Sequence, residues 1–319
     1  MSLQPPAQPG SAALAVPLIT AARRPVWMRW PLAALRTARP RQWPKNLLVF
    51  AAPLTGSALG RSTAALGGAV AACVVFTLAS SAVYFVNDAL DAERDRQHPR
   101  KCLRPVACGD LSETHAVSLA FLCVVAAGVV GLFTPGVGLS LAATAYLAIS
   151  FLYCAKFKHL PVLELFLVAS GFVLRAVGGA GAAKVPPSGW FLVVCSLGAL
   201  LVVLAKRFTE ITSLGAPAAA HRPSLRHYTP RGLRTAQRLT ALAMVAAYCT
   251  WAATESDPWT ANWHLATVLP LAAALVRFDR LTATGGTKHI EDLLIRDAPM
   301  LCFELTWLVM FVTGLALHP

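Results

Sequence analysis

Residues 64–95 read AALGGAVAACVVFTLASSAVYFVNDALDAERD. The run up to Val86 carries no charge and is long enough to cross a hydrocarbon core of ~30 Å as a helix. Four acidic side chains then fall within eight positions, Asp88, Asp91, Glu93 and Asp95, directly after Asn87. On a helix, Asp88, Asp91 and Asp95 stand at i, i+3 and i+7, so their carboxylates share one face with Asn87 at its edge. Like charges gathered at the end of a membrane helix repel one another, and a bound cation offsets that cost. Hard oxygen ligands of this kind suit Mg²⁺ carrying a phosphorylated substrate.

The rest of the chain extends this pattern. Over 319 residues, 56% are hydrophobic and 13% charged, with mean hydropathy +0.58, which marks an all-α polytopic membrane protein. Nine apolar stretches are predicted to span: 44–60, 64–87, 115–133, 136–152, 161–182, 189–205, 234–254, 261–278 and 299–317. None alternates in strand fashion, which disfavours a β-barrel. The net charge of +13 does not point to nucleic acid, because its distribution follows the membrane. Of the 28 Lys and Arg, 25 fall before the first span or in the loops after the even-numbered spans; the exceptions are Arg61, Arg175 and Lys184. The positive-inside rule then sets the N-terminus in the cytoplasm and the C-terminus outside, as expected for a multi-pass plasma-membrane protein. The eight Cys are scattered without zinc-site spacing, and neither a disulfide nor a metal role is expected of Cys102 and Cys108 on the reducing side.

Three regions are expected along the chain: a Pro- and Ala-rich disordered tail at 1–22, an interfacial segment at 23–43 in which Trp27, Trp30 and Trp43 alternate with arginines, and a transmembrane catalytic domain at 44–319. The outer loops are short, so the chemistry is expected on the cytoplasmic face, in a cap over the helix ends. A homo-oligomer is compatible with such a chain, since lipid-facing and partner-facing helix surfaces read alike.

The segment 87–112 reads NDALDAERDRQHPRKCLRPVACGDLS, acids first and bases after. The physical division of labour is carboxylates on Mg²⁺, with Arg94, Arg100, Lys101 and Arg104 on phosphate oxygens. The alternative is an ordinary loop whose acids and bases pair with one another. An NDxxDxxxD helix end followed by HPxK and RPxAxG resembles the UbiA superfamily of intramembrane prenyltransferases. That resemblance implies nine helices and an aspartate-rich motif that binds a diphosphate through Mg²⁺. Arg39-Pro-Arg-Gln-Trp43-Pro-Lys45-Asn46, Lys158-His159-Leu-Pro161-Val-Leu-Glu164 with Gly171-Phe-Val-Leu-Arg175-Ala, and Lys206-Arg207-Phe-Thr-Glu210 are similar to its decaprenyl-phosphate phosphoribosyltransferase branch. The similarity runs from about Arg36 to the C-terminus.

Prenyl-diphosphate members of that superfamily carry a second motif of paired Asp preceded by Tyr and Lys. Here Tyr153 and Lys156 keep the spacing, but Glu164 stands alone. The resemblance therefore implies one diphosphate substrate, phosphoribosyl pyrophosphate, and a polyprenyl phosphate acceptor. Glu164 and Arg175 are eleven residues apart, three helical turns, so they project from nearly the same side of the fifth span. An arginine this deep should face the bundle interior, either contacting a phosphate or ribose or acting as a structural partner for a carboxylate or for carbonyls of a neighbouring helix. Lys206 can pair with Glu210 at i, i+4, yet Lys206 and Arg207 also end the sixth span on the active face, where they suit phosphate. Lys45 either snorkels to headgroups or contacts substrate. His98 is expected to be a loop contact, and the loop from Arg222 to Arg234, with Tyr228, either binds anionic lipid, shields the site or only satisfies topology.

The expected catalytic and metal-binding residues are thus Asp88, Asp91 and Asp95. Lys45, Asn87, Arg94, Lys101, Arg104, Tyr153, Lys156, Glu164, Arg175, Lys206 and Arg207 are expected on substrate. A prenyltransferase moving a prenyl group from a prenyl diphosphate to an aromatic acceptor would use the same Mg²⁺ site, but the second pair of aspartates expected of it is missing from this chain. A transporter would place polar groups at the midplane and show repeated halves, neither of which is evident.

Overall fold

The computed structural model describes residues 26–55, 62–98, 101–214, 223–254, 258–283 and 296–317. The tail at 1–22, Arg23, Arg24, Arg100 and Arg222 lie outside them. The described residues form helices α1 (Val26–Ala38), α2 (Ala51–Thr55), α3 (Thr63–Leu90), α4 (Ala92–Arg96), α5 (Glu113–Phe133), α6 (Gly138–Ala155), α7 (Leu163–Ala183), α8 (Gly189–Leu214), α9 (Pro230–Ala253), α10 (Pro258–Ala266), α11 (Val268–Ala283) and α12 (Ala298–Leu317). No strand occurs among them.

Six helices are long and apolar enough to cross a membrane: α3, α5, α6, α7, α8 and α12. The other three expected spans take different forms. The first begins as a 3₁₀ segment, Pro40–Phe50, with Pro44 inside it, before passing into α2; a ring without an N–H disfavours a regular α-helix there. The seventh, α9, is long enough but opens with Arg231, Arg234 and Arg238. The eighth divides into α10 and α11 at Thr267, three residues before Pro270, which cannot donate to the carbonyl four positions back. The sixth also runs further than expected: α8 continues to Leu214, so Lys206 and Arg207 lie within it. Phe208 and Ile211 keep packing against α7 and α9, so the apolar face outlasts the apolar composition.

α3 is the central element, packed on α5, α6 and α7. Its inward face is built from Ala65, Gly68, Ala69, Ala72, Ala79, Ser80 and Ala82, all buried. With no hydrophobic drive between helices in lipid, small residues that let backbones approach are what hold such a bundle together. A Cβ at Gly68 would stand 2.1 Å from the Ala182 carbonyl oxygen of α7, and one at Gly179 would stand 1.8 Å from that of Val49. The latter contact fixes the 3₁₀ segment on α7. Side-chain caps set where helices begin: Ser62 Oγ accepts from Ala65 N at 3.2 Å, Ser112 Oγ from His115 N at 3.1 Å and Thr229 Oγ1 from Gly232 N at 3.0 Å. Leu132 and Phe133 of α5 and Leu242 of α9 point outward, where lipid would lie. α1 turns Ala33 and Thr37 inward while Trp30, Leu32 and Leu35 are exposed. This is the pattern of a helix lying in an interface.

Candidate active site

The aspartate-rich segment sits where α3 stops. The helix is interrupted at Asp91 (φ −96°, ψ 0°), which caps α3 at one end and opens α4 at the other. This break divides the single acidic face expected from an unbroken helix. Asp88 and Asp95 are buried and remain together, because Arg104 Nη1 donates to Asp88 Oδ1 at 3.2 Å and to Asp95 Oδ2 at 2.7 Å. Asp91 has different partners: it accepts from Lys158 Nζ, with Arg94 at 3.9 Å. Arg39 Nη2 donates to Asp88 Oδ1 at 2.6 Å while its guanidinium lies 4.6 Å from the Tyr84 ring centre. Residues from four parts of the chain therefore meet at one helix end.

Among the described residues, no three carboxylate, thiol or imidazole groups stand close enough together to enclose a metal ion. Mg²⁺, however, usually takes one or two carboxylates and completes its octahedron with water and substrate phosphate. Asp88 and Asp95, already converging on one guanidinium nitrogen, fit that requirement; Asp91 stands beside them on Lys158. The bases on this cluster are partly exposed: Arg39 29%, Arg104 27% and Lys158 15%. Arg94 is exposed at the rim, and Asn87 and Lys101 are half-buried.

A second acid–base cluster has its central pair closed to solvent and one member, Glu210, 28% exposed at its edge. Glu164, in the first turn of α7, is completely buried and accepts from Arg207 Nε at 3.0 Å and from Ser224 Oγ at 3.2 Å. Arg207, 2% exposed, also donates to Glu210 Oε2 at 2.7 Å. Arg207 thus pairs with Glu210 at i, i+3 and with Glu164 across helices. Val162, which precedes α7 at φ +63°, donates its N–H to Tyr228 Oη at 2.6 Å, so the 3₁₀ turn Pro223–His227 is tied to the start of α7. Lys206 is half-buried.

Glu164 and Arg175, placed on one side of the fifth span by spacing, are not brought together. Arg175 is buried between helices. Its Nε donates to Asn46 Oδ1 at 2.7 Å, its Nη1 to the Gly171 carbonyl at 2.6 Å and its Nη2 to Tyr146 Oη at 3.2 Å, with the Tyr146 ring centre 4.7 Å away. Asn46 in turn donates to Thr77 Oγ1 at 3.0 Å. This network knits the 3₁₀ segment to α3, α6 and α7. Lys45, next to Asn46, is half-buried. Tyr153 packs against the core of α3, α6 and α7, and Lys156 is exposed just beyond α6.

Two cluster members, Arg39 and Lys158, were not among the expected site residues. Their only signal lay in the RPRQWPKN and KHLP stretches, where each was one basic residue among several. The eight cysteines are free.

A model of the UbiA prenyltransferase family matches residues 47–290. Decaprenyl-phosphate phosphoribosyltransferase of Mycolicibacterium smegmatis is 37% identical over 285 residues, covering 86% of this chain and 89% of the relative. The protein of that name from Mycobacterium tuberculosis is 38% identical over 291 residues, covering 86% and 91%. Among solved structures, a UbiA homolog from Archaeoglobus fulgidus bound to GPP and Mg²⁺ superimposes with a TM-score of 0.67 at 16% identity, covering 89% of this chain and 98% of that one. The fold of α3 and its partners, the aspartates at its end and these similarities agree that the chain belongs to the UbiA prenyltransferase family.

Proposed function

We propose that the protein transfers a 5-phosphoribosyl group from phosphoribosyl pyrophosphate to a decaprenyl-like polyprenyl phosphate and releases pyrophosphate. The observation that carries this reading is the similarity, along 86% of the chain, to proteins named for that transfer. The geometry supports it in one respect: Glu164 is consumed by Arg207 and Ser224, leaving one acid-rich helix end to serve one diphosphate. We place the protein in the plasma membrane with its N-terminus and this end of the bundle facing the cytoplasm. The catalytic domain would span 44–319, preceded by an interfacial segment at 23–43.

Asp88 and Asp95, with Asp91 beside them, would hold Mg²⁺. Bound there, the metal would supply positive charge to the pyrophosphate as it departs. The chain's own residues do the rest. Arg39, Arg104 and Lys158, now paired with the carboxylates, are long enough to turn to phosphate oxygens. Arg94, 3.9 Å from Asp91, would join them at the rim, with Lys101 and Lys206 as further candidates for phosphate contact. No general base is required, because a lipid phosphate is already ionised at neutral pH. Catalysis is then positioning of two anions and stabilisation of the leaving one. The acceptor oxygen attacks C1 of the ribose as the C1–O bond to pyrophosphate breaks, through a transition state of oxocarbenium character, and inverts the anomeric centre.

Purified protein incubated with radiolabelled phosphoribosyl pyrophosphate, polyprenyl phosphate and Mg²⁺ should move label into the organic phase. EDTA should stop it, and Asp91→Asn should abolish it while leaving the folded yield unchanged. Substantial turnover by Asp91→Asn at saturating Mg²⁺ would sink the assignment. Consumption of a prenyl diphosphate with an aromatic acceptor, and no transfer of label, would replace it with the prenyltransferase reading.

A further inference from the structure

A shallow open cleft of about 400 Å³ is lined by Phe208, which follows Arg207 on α8, and by Pro230, Arg231, Arg234, Thr235 and Arg238 of α9. Arg231, Thr235 and Arg238 are spaced i, i+4 and i+7 along α9, so they form one stripe, and Leu242, 66% exposed, continues it one turn deeper. The stripe is therefore cationic at the bilayer surface and apolar below it.

Its three guanidiniums are not equivalent. Arg234 is fixed: Nη2 donates to Asp279 Oδ2 and to the Asp279 carbonyl, each at 2.8 Å, and its guanidinium lies 5.3 Å from the Phe208 ring centre. Gln237 Nε2 donates to Thr282 Oγ1 at 3.0 Å, holding α9 against α11 at the same level. Arg238 is 62% exposed and 3.5 Å from the same Asp279 carboxylate. Arg231 is exposed and has no ion-pair partner among the described residues. Among the described residues, the Asp279 carboxylate thus serves Arg234 and Arg238 but not Arg231, an excess of positive charge that a phosphate would match. Guanidinium groups are the usual partner of phosphate where planar, forked recognition is needed.

We propose that this cleft is a binding site for a lipid-borne phosphate, with Arg231 and Arg238 on the phosphate oxygens, Arg234 as the fixed wall and the hydrocarbon chain lying along Leu242. Two lipids share that chemistry, an acidic phospholipid and the polyprenyl phosphate acceptor. The second rests on the function proposed above; binding itself does not. An apolar track below the cations distinguishes both from a free phosphate ion.

The test is lipid retention, measured by native mass spectrometry on the full chain in nanodiscs. One set contains phosphatidylcholine alone, one adds phosphatidylglycerol and one adds polyprenyl phosphate. Arg231→Gln/Arg238→Gln is compared with the natural sequence, and Arg234 is left intact so that α9 stays on α11. At about 1 kcal/mol for each basic residue near the surface, the double variant should bind the phosphate lipid about thirtyfold more weakly, with phosphatidylcholine unaffected. Loss of phosphatidylglycerol alone identifies a phospholipid site, and loss of polyprenyl phosphate alone an acceptor subsite. Equal retention of both phosphate lipids by the variant and the natural protein, or displacement by inorganic phosphate at equal concentration, would overturn the proposal. Because the readout is binding, it stands or falls separately from the transfer reaction.

Discussion

Two acid–base clusters lie near helix ends in this protein, and they differ in which partner can leave. At the end of α3, the acids Asp88 and Asp95 are buried while the bases Arg39, Arg104 and Lys158 keep 15–29% of their side chains exposed. At the start of α7, Glu164 and Arg207 are both essentially sealed, at 0% and 2%. A base with access to water can exchange its carboxylate for a phosphate at little cost. A sealed one cannot, since separating it from its partner strands a charge in low dielectric. Similar residue types thus give a site in one place and a fastening in the other. The fastening joins α7, α8 and the turn Pro223–His227.

The largest expected effect breaks the first cluster. Asp88→Asn keeps the shape of the side chain but removes the charge, and turnover should fall by about 10³, the scale of losing a preorganised electrostatic group. Arg39 and Arg104 can turn to water, so the melting temperature should barely move. If turnover per folded molecule survived, the carboxylates at this end would not be the metal-bearing ones. Glu164→Gln should do the reverse. Arg207 would lose its buried carboxylate and keep only Glu210, a loss of about 3 kcal/mol in stability, while each folded molecule should retain more activity than Asp88→Asn does. Equal losses of turnover in the two variants would mean that Glu164 ligates metal and that the contrast between the clusters is false. Thermal unfolding in detergent beside single-turnover label transfer separates the two quantities.

The same contrast explains what could be read in advance. The uniform apolar runs of α3, α5, α6, α7 and α12 were legible because hydropathy over a span is a local property. The prolines at 44 and 270 were equally visible, yet whether a proline kinks, splits or is absorbed by a span depends on what packs against it. Asp88, Asp91 and Asp95 were legible for the same local reason. Their partners were not: Arg39 stands 49 positions from Asp88, and Lys158 stands 67 from Asp91. No spacing rule joins residues that meet only because α3, α7 and the 3₁₀ segment are packed together. Arg175 is the converse case: its depth in the span was legible, but its partners Asn46 and Tyr146 stand 129 and 29 positions away.

That packing is itself open to test, at a smaller scale. Gly179→Ala would place a methyl group 1.8 Å from the Val49 carbonyl oxygen, so the 3₁₀ segment must shift to make room. Overpacking of this kind costs about 2 kcal/mol. The displaced segment carries Lys45 and Asn46 and begins directly after Arg39, so KM for the sugar donor should rise together with the loss in melting temperature. Gly67→Ala on α3, where nothing lies within 4 Å of the added carbon, is the matched control and should change neither. A KM that stayed constant while stability fell would confine the role of the 3₁₀ segment to folding.

The smallest effect expected belongs to an ion pair outside both clusters. Arg277 Nε and Nη2 hold the Asp297 carboxylate at 3.0 and 2.8 Å ahead of α12, and the guanidinium keeps that carboxyl below its ordinary value of 3.8, helped by the Met300 N–H. A carboxyl with a depressed folded-state value adds stability that is complete above the unfolded value and is lost only as the pH falls through the folded one. Between pH 7 and pH 5 the melting temperatures of Asp297→Asn and the natural protein should therefore keep a constant small gap, and that gap should close only below about pH 4. Pairs with this much access to water, Arg277 being 35% and Asp297 16% exposed, are also screened by salt, so the gap should shrink in high ionic strength. A salt titration of Glu164→Gln against the natural sequence should leave its larger gap nearly unchanged, because the sealed pair is out of reach of the ions. If both gaps closed alike, Glu164 and Arg207 would be hydrated in the membrane, and the distinction between an exchangeable cluster and a fixed one would have to be drawn on grounds other than burial.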